Sequence, residues 1–179
     1  MDVEPANPCN VFLAGYRCTG KTSVGKLLAA RLGWLFVDTD ALLVTERRMS
    51  IKEIVDSRGW EVFRKLEHRV IKQVCDQNRQ VVATGGGVVL NDANVERMRA
   101  SGKIVWLRAT AETIKKRMMI DTDTEAFRPA LTSRDSVSEI EETLFEREPI
   151  YRRVMDFYVH TDSLSLDAIV DSISKALKD

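Results

Sequence analysis

The sequence predicts an α/β fold: a three-layer sandwich in which helices cover both faces of a central parallel sheet of about five strands. Two observations predict it. Short apolar runs alternate along the chain with longer amphipathic stretches, the pattern of parallel strands joined by crossover helices. Two of those runs also end in glycine-rich segments, where the backbone must turn sharply or let a ligand come close.

The elements follow in order. Asn10–Ala14 (NVFLA) reads as a buried strand running into Gly15-Tyr16-Arg17-Cys18-Thr19-Gly20-Lys21-Thr22. Val24, Leu27, Leu28 and Leu32 then recur at helical spacing, with Gly33 in the C-cap position. Residues 34–37 form a second apolar run, ending at Asp38-Thr39-Asp40. Helical segments continue to about Gln77, broken by Gly59 before Trp60. Gln80–Ala83 is a third strand, closed by Gly85-Gly86-Gly87. A helix leads to a strand over 103–107, and another helix follows from about Ala111 to Met118. Residues 120–134 are polar, contain Pro129 and show no period, so a mobile lid is expected over about 118–134. A helix over 136–153, a strand over Phe157–His160 and a helix over 164–177 complete the chain. Without a linker, repeat or low-complexity tract, residues 1–179 are expected to form one domain.

Composition narrows the function. A hydrophobic content of 44% and a charged content of 30% suit an ordinary globular protein rather than a disordered or fibrous one. Lys+Arg and Asp+Glu are equal at 27, so no global field attracts nucleic acid or an anionic membrane, and neither is an expected partner. Anionic ligands must be gripped by a few placed cations. Cys9, Cys18 and Cys75 with two histidines are too scattered for a zinc site and too few for a disulfide framework. The first residues lack the basic and apolar regions of a signal peptide, and a cytoplasmic location is expected.

Gly15 and Gly20-Lys21-Thr22 satisfy G-x-x-x-x-G-K-S/T between a strand and an amphipathic helix, the context that gives this motif meaning. Backbone N–H groups converge on phosphate oxygens there, and the helix N-terminus adds a positive dipole end. The candidate ATP-binding residues are therefore Gly15, Tyr16, Arg17, Cys18, Thr19, Gly20, Lys21, Thr22 and Ser23. Lys21 is expected to be exposed and to reach the β- and γ-phosphates, and the Thr22 hydroxyl to ligate Mg²⁺. Cys18 stands where glycine is frequent, and fits without strain if the backbone needs no positive φ. No N-K-x-D base-reading motif follows, which argues against a GTPase.

Asp38 and Asp40 lie where a parallel strand ends, at the sheet edge where open α/β folds bind ligands. Asp38 is suited to hold Mg²⁺ through water, and capping of the next helix is the simpler alternative for the pair. Arg64 and Glu67 share a helix face. Either they form a surface ion pair of little worth, or Glu67 steadies a guanidinium fork aimed at a carboxylate. Arg147 poses the same choice. Gly85, Gly86 and Gly87 exceed what a plain turn requires and allow close approach to a ligand.

Six motifs in order, GYRCTGKT (15–22), VDTD (37–40), FRKLE (63–67), ATGGGVVL (83–90), FRPAL (127–131) and EREPIY (146–151), make the chain resemble the shikimate kinases over nearly its whole length. The resemblance implies a P-loop kinase that converts ATP and shikimate to ADP and 3-phosphoshikimate with Mg²⁺, a step towards chorismate and the aromatic amino acids. Its implied catalytic residues are Lys21, Asp40 and Arg128, with Asp40 facing the 3-hydroxyl and Arg128 bringing charge from the lid. It further implies that Arg64 and Arg147 hold the substrate carboxylate, that Gly85, Gly86 and Gly87 contact ring hydroxyls, and that Arg117 packs along adenine. Residues 118–125 are longer and more acidic than in many relatives, and Ala130 replaces a frequent leucine. The alternative is another small-molecule P-loop kinase, for a gluconate or a nucleoside monophosphate. A monomer is the expected state.

Overall fold

The computed structural model describes residues 10–120 and 137–178. Its strands are β1 (Asn10–Ala14), β2 (Leu35–Asp38), β3 (Gln80–Ala83), β4 (Gly102–Arg108) and β5 (Phe157–His160). The α-helices are α1 (Lys21–Leu32), α2 (Thr39–Arg47), α3 (Ile51–Cys75), α4 (Asp92–Ser101), α5 (Ala111–Ile120), α6 (Val137–Val154) and α7 (Leu166–Ala176), with a 3₁₀ turn at Val88–Leu90. The five strands form one parallel sheet in the order β2-β3-β1-β4-β5. Fold class and strand count are as the sequence predicts, and strand ends differ by one residue. Asp38 belongs to β2 because it pairs with Ala83.

Strand alternation divides the core into two layers. Val11 and Leu13 of β1 point to one face, where Leu28 of α1 and Ile173 of α7 cover them. Phe12 and Ala14 point to the other, against α2, α3, α4 and α6 through Leu43, Ile71, Met98 and Tyr151. A smaller cluster joins α5 to α6 through Ile114 and Ile140 and includes Tyr16. Every residue of β1 and β3 is buried, which explains why both run apolar after the first residue. The two polar first residues meet, the Gln80 N–H donating to Asn10 Oδ1 at 3.0 Å. In register, Val11 lies beside Val81 on one side and Lys103 on the other.

Local signals set the helix ends that matter. Gly33 closes α1 in the left-handed region, with φ 66°. Ser50 and Glu53 form a reciprocal capping box at the start of α3. Gly59 interrupts α3 with φ 80° and ψ 165°, so Trp60 begins a second helical segment carrying Arg64 and Glu67. Among the described residues no helix is long and apolar enough to cross a membrane.

Candidate active site

The carboxyl ends of β1, β2 and β3 open into a cleft of about 550 Å³, counting space continuous with solvent. Tyr16 and Arg17 from the loop after β1 line it, as do Asp40 from α2, Arg64 and Glu67 from α3, the glycine segment after β3 and Arg147 from α6. Ile51, Trp60 and Phe63 supply an apolar wall.

The loop after β1 wraps the amino end of α1. Lys21 Nζ donates to the carbonyls of Gly15 and Tyr16 at 2.8 and 2.7 Å. The residue is only 7% exposed, which corrects the expectation of an exposed lysine. Its ammonium ties the loop to itself. Thr19 Oγ1 donates to the Tyr16 carbonyl at 2.8 Å, tightening the same turn. Cys18 adopts φ 59°, so the position does require the left-handed region, and the cysteine is strained where glycine is not. Arg117, on α5, donates to the Cys18 carbonyl at 3.2 Å and to Thr161 Oγ1 at 3.1 Å, and also bonds the Thr161 carbonyl. It thereby joins the phosphate loop to the segment after β5.

Asp38 serves two purposes through two oxygens. Its Oδ1 accepts from the N–H groups of Asp40 and Ala41, capping α2, at 3.1 and 3.2 Å. Its Oδ2 accepts from the Thr22 hydroxyl at 3.0 Å. One hydroxyl and one carboxylate side by side suit Mg²⁺, which takes few protein oxygens and keeps several waters. Among the described residues no group of three or more His, Cys, Asp or Glu could enclose a metal alone. Ser23 is exposed at the first turn of α1.

Arg64 Nη1 donates to Glu67 Oε2 at 2.7 Å. Glu67 is 3% exposed, so this is no surface pair. The guanidinium also lies over the rings of Trp60 and Phe63, at 5.5 and 5.3 Å from their centroids. The other Glu67 oxygen, Oε1, is buried with no hydrogen-bond partner among the described residues. Burial pushes the Glu67 carboxyl above its usual range; Arg64 pulls it down, Asp40 pushes it up, and Arg147 pulls it down.

Close approach explains the glycines. A Cβ on Gly85 would stand 2.8 Å from Glu67 Oε1 and 3.0 Å from Asp40 Oδ1. A Cβ on Gly87 would collide with both terminal nitrogens of Arg64. Gly86 lies against the loop after β1, since its Cβ would meet the Gly15 carbonyl at 3.3 Å. The Gly85 N–H donates to Thr39 Oγ1 at 3.2 Å, fixing the segment to α2. Arg147 lies over the Tyr16 ring, 5.9 Å from its centroid.

Of the residues expected from sequence, the cleft gathers Tyr16, Arg17, Asp40, Arg64, Gly85, Gly86, Gly87 and Arg147, while Lys21 bonds the loop that carries Tyr16, and Thr22 and Asp38 bond each other. Arg128 and the lid from residue 121 onward lie outside the described residues. Sequence reasoning gave no part to Trp60, Ile51, Thr39 or Tyr151. The signal available was Gly59 before Trp60, and the tyrosine that ends EREPIY.

The pattern of the shikimate kinase family matches residues 17–178. Shikimate kinase from Moorella thermoacetica is 39% identical over 171 residues, covering 96% of this chain and 95% of that protein. Shikimate kinase from Thermodesulfovibrio yellowstonii is 40% identical over 166 residues, covering 93% of each. The structure of shikimate kinase from Acinetobacter baumannii in complex with shikimate superposes with a TM-score of 0.88 at 28% identity, covering 95% of this chain and 93% of that one. With full-length relatives at this identity, and motifs that meet in one cleft, the chain belongs to the shikimate kinase family.

Proposed function

We propose that the cleft binds shikimate with its carboxylate on Arg64 and Arg147, its ring hydroxyls along Gly85, Gly86 and Gly87, and its 3-hydroxyl at Asp40. The loop from Gly15 to Ser23 takes the phosphates of ATP, and the γ-phosphoryl group passes to the 3-hydroxyl. The observation that carries this reading is the shared wall: Gly86 packs on the Gly15 carbonyl, so acceptor cleft and phosphate loop are neighbours.

Phosphoryl transfer has a loose transition state, so alignment and charge neutralisation are the chief demands on the protein. Lys21 and the loop N–H groups hold the phosphates. Asp40, 9% exposed beside Gly85, orients the 3-hydroxyl and can accept its proton. Thr22 and Asp38 would hold Mg²⁺, which neutralises phosphate charge when bound. Arg117 is assigned to the adenine side, and Arg128, on its motif alone, to the charge of the transferring group. The Ile51, Trp60 and Phe63 wall supports a carbocyclic face of the substrate. We assign the reaction to the cytoplasm, on a cysteine set too sparse for a disulfide framework, and the chain to a single-domain monomer, on the absence of a linker or repeat in the sequence.

ADP release with ATP, with and without shikimate, tests the activity; the Arg64→Ala variant tests the site. Loss of a charge-assisted bond of about 1.5–3 kcal/mol weakens shikimate binding by about 10- to 150-fold and leaves ATP affinity unchanged. Arg64→Lys recovers part of the loss, since a point charge lacks the bidentate fork. An unchanged shikimate Kd in Arg64→Ala would remove this residue from the site.

A further inference from the structure

Two walls of the cleft come from distant parts of the chain, Gly85 to Gly87 after β3 and Arg147 on α6. Substrate must span both, so their spacing has to be held. Tyr151 sits one helical turn beyond Arg147, on the same side of α6. Its ring is fully buried and stacks on Trp106 of β4, with centroids 5.2 Å apart and planes 13° from parallel. Its hydroxyl donates to the Gly86 carbonyl at 2.7 Å. Burial raises the pKa of this hydroxyl, and the Arg147 guanidinium, one helical turn back, opposes that rise through its charge and hydrogen bonding. One oxygen therefore bonds one wall and feels the cation of the other.

A phenylalanine would fill the core and stack on Trp106 equally well. Burying a hydroxyl is unfavourable unless it is bonded, so the oxygen is there for its polar contacts. Burial pushes the Tyr151 hydroxyl up to about 12, so it stays a proton donor at any working pH. α6 also needs such a link. Pro149 lies between Arg147 and Tyr151 and has no N–H, so the rung of the helix ladder back to Phe145 is missing at that point. The backbone there holds Arg147 less firmly than an unbroken helix would.

We infer that Tyr151 is a positioning residue for substrate: its hydroxyl sets Arg147 in register with Gly86, and so fixes the distance between the cation that takes the carboxylate and the backbone that meets the ring hydroxyls. The inference rests on the reading of the cleft as the shikimate site.

Tyr151→Phe keeps the ring, its stack and its volume. Shikimate and ATP are titrated separately into the wild type, Tyr151→Phe, Arg147→Ala and the double variant. The expected result is a shikimate Kd raised about 10-fold in Tyr151→Phe, with ATP affinity kept within about twofold. In the Arg147→Ala background the same change should have almost no further effect, because the two residues act as one unit. An unchanged shikimate Kd, or the full loss repeated without Arg147, overturns the inference. Equal loss of ATP and shikimate affinity also overturns it, since that pattern is general destabilisation. If Arg64→Ala, titrated alongside, and Arg147→Ala both bind shikimate as the wild type does, the assignment of the cleft itself fails; if they differ from wild type and Tyr151→Phe matches it, only the tyrosine's role fails.

Discussion

The guanidinium of Arg64 rests against the Cα of Gly87, on the spot a methyl group would occupy. Gly87 has φ −104° and ψ 4°, a conformation open to any residue, so its glycine serves space and not backbone freedom. Gly87→Ala is therefore expected to fold normally while pushing Arg64 off its seat between Glu67 and the aromatic rings. Shikimate affinity should fall about tenfold or more, with ATP affinity unchanged, in parallel titrations. A variant that binds shikimate as the wild type does would show that Arg64 can take up another position without loss.

Lys21→Met keeps the buried stem but removes the ammonium from the Gly15 and Tyr16 carbonyls. Two effects should appear together. Turnover is nearly abolished, and stability falls by about 1–3 kcal/mol because buried acceptors lose their donor. Steady-state kinetics and thermal unfolding of the same preparation check both. Near-normal kcat in a folded variant would take Lys21 out of phosphate transfer, and an unchanged Tm would take it out of loop closure.

Cys18 tests backbone strain. Its φ of 59° has a cost of about 1–2 kcal/mol for a residue with a Cβ. Glycine removes that cost but gives the unfolded chain more freedom, an opposing effect of about 0.4–1 kcal/mol. Cys18→Gly is thus expected to match or slightly exceed the wild type in urea unfolding. Cys18→Val, β-branched at the same φ, should lose at least about 1 kcal/mol. Equal midpoints for glycine and valine would mean that the loop relaxes freely.

Glu67 gives stability a pH dependence of defined sign. Burial, partly opposed by Arg64, raises its carboxyl above 4.5 in the folded state. Between 4.5 and that raised value the folded chain binds more protons than the unfolded one, so acidification through this window adds stability. The penalty is full above the folded pKa and absent below the unfolded one. Glu67→Gln lacks the titration. The stability of the wild type relative to this variant should therefore rise as pH is lowered from neutral to about 4.5, in urea unfolding at each pH. A relative fall on acidification would show that the carboxyl is held down by Arg64 instead of up by burial.

Legibility from sequence followed distance along the chain. The bounds of β1, β3 and β5 and the Gly33 cap were readable because they depend on a run of neighbours. The Arg64–Glu67 pair was readable for the same reason, since three residues on a helix define one face. Its burial was not, because Phe63, Gly85 and Gly87 come from packing of α3 on the β3 loop. Lys21 was misread as exposed because the carbonyls that cover it belong to its own folded loop. Tyr151 carried no polar signal in sequence, since its partner Gly86 lies 65 residues away.

The order of the sheet has a consequence for how the chain acquires activity. β1 is central, yet its partners β3 and β4 arrive about seventy and ninety residues later. The phosphate loop it carries therefore emerges early during synthesis, with both flanking strand edges still unpaired. High contact order of this kind slows folding, because long loops must close before pairing is rewarded. Arg147 and Tyr151 come later still, on α6. On the proposed reading of the cleft, the nascent chain holds its nucleotide motif long before it holds the cation that takes the acceptor.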